Sequence, residues 1–100
     1  MAKIEILTPE PDKARLLLQE AIALQKRLVV QSLGRTQERI QALATQLQVN
    51  PDLLLAGEVP HPEEQDMDLL ELEGELEIQR HLREQLQQLE HLTICPSETT

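Results

Sequence analysis

The sequence predicts an all-α fold: a long antiparallel helical hairpin with a short corner helix, expected to pair with a second copy into a dimeric helical bundle. Three observations point there. Leucine supplies a fifth of the 100 residues while Phe, Tyr and Trp are absent, so any core is aliphatic and built from strong helix formers. Apolar residues recur at steps of three and four along two long stretches. Between those stretches lies a corner punctuated by Pro51, Gly57 and Pro60.

Residues 1–11 open with Ile4 and Ile6 alternating with Lys3 and Glu5, which reads as a tail or a short edge strand. In "TPEPD", Thr8 is a capping candidate and the prolines preset a first helical turn. From about Asp12 the helical period is plain. Leu17, Ala21, Leu24 and Leu28 follow one another at steps of four, three and four, and Leu18, Ile22, Val29 and Leu33 make a second stripe beside them. The combined face is wider than a two-stranded coiled-coil seam and wider than one return helix can cover. Both stripes are therefore assigned to an oligomer interface.

Gly34 is a candidate break, but Leu33, Ile40 and Leu47 keep a spacing of seven across it. That spacing predicts a continuous or gently bent helix to about Gln48. Pro51 then forces Asn50 out of the helical region and opens a short helix, "PDLLLA", capped by Asn50 and stopped at Gly57. Pro62 begins the return helix, which runs to about Thr93. Its apolar positions fall on two faces: Leu69, Leu72 and Leu76, then Ile78, Leu82, Leu86, Leu89 and Leu92, with Gly74 near the change. Leu82, Leu86 and Leu89 are added to the oligomer interface. Residues 12–94 form one hairpin domain on this reading, and 95–100 a disordered tail.

Composition narrows the function classes. A net charge of −9 repels phosphate backbones and anionic headgroups, which argues against nucleic acid or membrane as partners. The most apolar run, "LLLQEAIALQKRLVV", is interrupted by Glu20, Lys26 and Arg27 and does not read as a membrane span. The single Cys95 has no internal disulfide partner and no signal peptide is evident, so a reducing, cytoplasmic location is expected.

Gln41 to Glu58 resembles a helix-turn-helix, with Ala44, Leu47, Val49 and Leu54 at the buried positions. The chemistry of a DNA reader is missing from it. Base edges and phosphates need polar donors and cations, yet the second helix offers Asp52 and three leucines, with only Arg35 and Arg39 upstream. A bundle corner sealed by aliphatic side chains is the simpler reading.

The remaining chemistry is sparse. Glu-x-x-His, the di-iron bundle signature, is absent, since Ile78 precedes His81 and Gln88 precedes His91 by three; Glu77 and His81, four apart, make only a common solvated pair. His61 lies between two prolines in a loop. Cys95 has no neighbouring cation to activate it, and no glycine-rich phosphate loop follows a strand. No catalytic, metal or cofactor residue is assigned, and the protein is expected not to be an enzyme. The acidic run contains Glu71, Glu73, Glu75 and Glu77, a candidate docking face for a basic partner or for the basic side of another copy, where Lys13, Arg15, Lys26 and Arg27 lie. The expected function is a non-enzymatic protein–protein interaction or scaffold module that self-associates, with a transcriptional regulator using Gln41 to Glu58 as the rival.

Overall fold

The computed structural model describes residues 2–60 and 66–94. They form three helices: α1, Pro11–Leu47; α2, Pro51–Leu55; and α3, Asp66–His91. Residues 2–10 are neither helix nor strand, and Ile4 and Ile6 are exposed rather than paired in a sheet edge. The expected helix start at Pro62, His61 and the tail with Cys95 lie outside the described residues.

Helix α1 begins at Pro11, whose missing N–H costs nothing at this position. Its N-cap is Glu10, without a side-chain cap. Thr8 does not cap the helix as expected: it stands two residues before the cap position, and its Oγ1 accepts the Glu10 N–H at 3.2 Å. The helix continues unbroken past Gly34 to Leu47.

Two successive stops of the same design form the corner. Gln48 adopts a left-handed backbone (φ 54, ψ 45), the Val49 N–H donates to the Ala44 carbonyl at 3.0 Å, and the Gln48 N–H donates to Thr45 at 3.3 Å. This is the Schellman pair, in which the helix's last free carbonyls are satisfied by reversing the chain. Asn50 caps α2, its Oδ1 accepting the Asp52 N–H at 2.9 Å, and Pro51 occupies the first turn. After the short α2 the pattern repeats around Gly57 (φ 73): the Glu58 N–H donates to Leu53 at 3.0 Å and the Gly57 N–H to Leu54 at 3.1 Å. Asp66 and Asp68 then sit in the first turn of α3, where the helix dipole favours them.

Helices α1 and α3 pack antiparallel into a hairpin measuring 66 × 24 × 16 Å. The smallest dimension is little more than one helix diameter of about 10–12 Å, so the long helices form a single layer. Most of the core is at the closed end. Ile40, Leu47, Leu54, Leu69, Leu72 and Leu76 cluster there, with Leu43, Ala44, Val49 and Val59 packed around them. Among the described residues of the open half only Val29 is buried, and Leu18, Ile22, Leu33, Leu82, Leu86 and Leu89 are half-covered.

The charge is distributed unevenly. Between Arg35 and Glu77 the sequence has two basic and eleven acidic residues, while the rest of the chain has seven of each. The whole net charge therefore belongs to the closed end and its connector.

Candidate functional site

One ion pair and one groove mark the register of the hairpin. Arg39 Nη1 lies 3.6 Å from Glu75 Oε1 across the seam, and Ile22 and Ala23 line a shallow groove together with Leu92 and Thr93. At 1.5 Å per residue the 37 residues of α1 span about 55 Å and the 26 of α3 about 39 Å. With this register roughly the first three turns of α1 project beyond the end of α3. Leu16 and Leu17 on that overhang are 58% and 66% exposed.

The structure divides the residues assigned to an oligomer interface into two groups. Val29 is buried inside the hairpin, Ile22, Leu33, Leu82, Leu86 and Leu89 line the intramolecular seam, and Leu18, on the same line of α1 but beyond the end of α3, is half-covered. The return helix takes this stripe, because it is the one aligned with Ile40 and Leu47 farther along α1. Leu17, Ala21, Leu24 and Leu28 remain uncovered, with Leu24 at 50% and Leu28 at 47% exposure. They lie about 110° around α1 from the line facing α3, on ideal geometry. Ile78 of α3, also exposed, lies on the same side, because the antiparallel helices rotate in mirrored senses. The candidate site is this uncovered stripe.

A second uncovered strip was not singled out from the sequence. Leu16, Ala23 and Val30, spaced by seven, lie on the opposite flank of α1. The spacing was the available signal, but Lys26, Arg27 and Gln19 interleave it and the strip is sparser.

Glu71, Glu73, Glu75 and Glu77 do not share one face. Steps of two turn an α-helix by about 200°, so Glu71 and Glu75 lie on one flank of α3 and Glu73 and Glu77 on the other. Glu75 is drawn into the seam toward Arg39, its side chain only 13% exposed, and its Oε2 is buried without a hydrogen-bond partner. Glu77 is engaged by Arg80, which also reaches Glu84 at 3.1 Å, and lies 3.5 Å from His81 Nε2. The Arg80 hydrogen bond holds the Glu77 carboxyl below its ordinary value, and burial opposes this only in part; the pairing in turn raises Arg80. Nothing in the sequence singles out the Arg39–Glu75 pair beyond opposite charges on two helices of unknown register.

At the corner, α2 has five residues, about 7.5 Å of helix. Leu54, its buried residue, belongs to the main core, while Leu53 and Leu55 face solvent. Two concavities on the described surface are open grooves, one beside Lys26 and Ile94 and one between Leu55 and Arg83. Among the described residues no three His, Cys, Asp or Glu side chains gather into a metal-binding group, and no helix is long and apolar enough to cross a membrane. The chain matches no protein-family model, no curated protein and no solved structure.

Proposed function

We propose that this protein is a non-enzymatic helical interaction module that docks through the uncovered α1 stripe. The observation that supports the reading is the exposure of Leu17, Leu24 and Leu28 on one side of a hairpin whose own return helix is already engaged elsewhere. Contiguous apolar surface of this kind on a soluble chain commonly marks a protein contact. A rigid helix presenting residues at steps of four, three and four is suited to helix-on-helix docking.

The rival reading, a DNA-binding regulator, draws less support. Arg39 is occupied by Glu75, α2 is short, and the corner lies in the acidic half of the molecule. The test combines two measurements. Association of the full chain, with itself or with a defined partner, should be lost in Leu24→Asp while helicity is kept. Duplex DNA should not be retarded at low salt, and retardation abolished by Arg35→Ala with Arg39→Ala would favour the regulator instead.

A further inference from the structure

We infer that the occupant of the stripe is a second copy of this chain, docked antiparallel so that the two α1 helices cross-pair about a twofold axis between Ile22 and Ala23. This rests on the docking role of the stripe and adds the partner and its orientation.

A twofold interface must be complementary to itself. The stripe meets that condition. Its steps of four, three and four read the same in both directions, so reversing one copy brings Leu17 opposite Leu28 of the other and Ala21 opposite Leu24. Each small residue then meets a large one, which lets the layers interdigitate. Glu20 and Arg27 flank the stripe on one edge, at positions that meet their own kind across an antiparallel helix pair. Reversal places Glu20 against Arg27 of the second copy, twice by symmetry. A parallel pairing offers no such match: there the edge opposite Glu20 and Arg27 carries Gln25 and Ser32.

Two features of the whole chain agree with this orientation. The overlap runs from about Pro11 to Gly34, so the overhanging first turns of α1 rest on the second copy's α1 where that helix is backed by its own α3. An isolated helix end of about three turns is marginal in water, and this cover stabilises it. The closed ends, which hold the entire net charge of −9, are sent to opposite extremes of the assembly, whereas a parallel dimer would place them side by side.

The experiment uses the full chain with Cys95→Ser and a spin label at Gln41→Cys, an exposed position outside the overlap. Sedimentation equilibrium should give twice the 11.4 kDa chain mass, and the label-to-label distance should be about 55 Å from the helical rise. Glu20→Arg should raise the dimer dissociation constant about tenfold by setting like charges opposite each other, and adding Arg27→Glu should restore it. A monomer at 100 µM (roughly the upper range for a functional self-association), a label distance under about 25 Å, or a double swap no better than the single one would each overturn the inference. Those failures leave the stripe free to bind a different protein. Unchanged association in Leu24→Asp would instead remove the stripe itself as the docking surface.

Discussion

Arg39 and Glu75 illustrate how a surface ion pair acquires weight from where one partner sits. Arg39 is mostly in solvent, which by itself would make its loss nearly neutral. Glu75 is largely withdrawn from water and keeps one oxygen unbonded, so removing its cation leaves a poorly solvated carboxylate. Arg39→Ala is expected to lower stability by about 1 kcal/mol, and Glu75→Leu to raise it by a similar amount, because replacing a poorly satisfied buried charge by packing is favourable. Urea titrations of the two variants check both signs; a neutral Arg39→Ala would mean that the seam is wet at this point. Glu77 gives a pH test. Its folded pKa is depressed, mainly by the hydrogen bond from Arg80, so its small contribution is present above the ordinary carboxylate value of 4.5 and is lost as pH falls through the folded value. In Arg80→Ala the Glu77 carboxyl should titrate at higher pH, measured by carbon NMR on the side chain. Neither pair was legible in the sequence as a pair. Arg39 there looked like a loose surface cation, because a register between distant helices is needed to know what lies across from it.

The helices were far more legible than the side-chain pairings. Unbroken spacings of seven through Leu33, Ile40 and Leu47 outweighed the local penalty of Gly34, and α1 is continuous. Proline and glycine placed the corner to within a residue or so, since both act through backbone geometry that needs no partner. Thr8 misled because a capping side chain next to two prolines reads alike whether the helix starts one residue on or three. Gln48 occupies a left-handed position where glycine rests without strain. Gln48→Gly should therefore stabilise the chain by about 0.5–1 kcal/mol, while Gly57→Ala, at φ 73, should cost about 1 kcal/mol. Gly34 and Gly74 have open space where a Cβ would stand, so each change to alanine should add about 0.5–1 kcal/mol through helix propensity alone. Thermal melts followed by circular dichroism compare the four. A loss of stability in Gly34→Ala would point to a close approach by another chain at that site.

At the scale of the molecule, the core's concentration at the closed end predicts a gradient of local stability. Hydrogen exchange should be slowest near Ile40, Leu47, Leu72 and Leu76 and fast over the first two turns of α1. Raising the protein concentration should slow exchange between Pro11 and Gly34 selectively if the stripe is covered by association. The same asymmetry separates the two stripes that the sequence assigns together to an oligomer interface: Leu24 is half-exposed in the single chain, so the hairpin should keep its helicity in Leu24→Asp. Periodicity told which residues were apolar together; it could not tell which of two adjacent stripes the return helix would choose, because that depends on a crossing of helices that the local pattern does not encode.

The placement of the core also decides how the hairpin answers to tension. Residues 2–10 and residues 92–94 both leave from the open end, remote from the Leu69–Leu72–Leu76 cluster. Load applied across them peels the helices apart one turn at a time, meeting the thinly packed leucines first and the dense cluster last. Optical-trap extension from these two points should show gradual yielding at low force followed by a sharper final release. Load applied instead between the overhang and the corner pulls along the axis of α1, stretching a single helix without separating it from its neighbour. The hairpin is thus a compliant clasp in one direction and a stiff strut in the other.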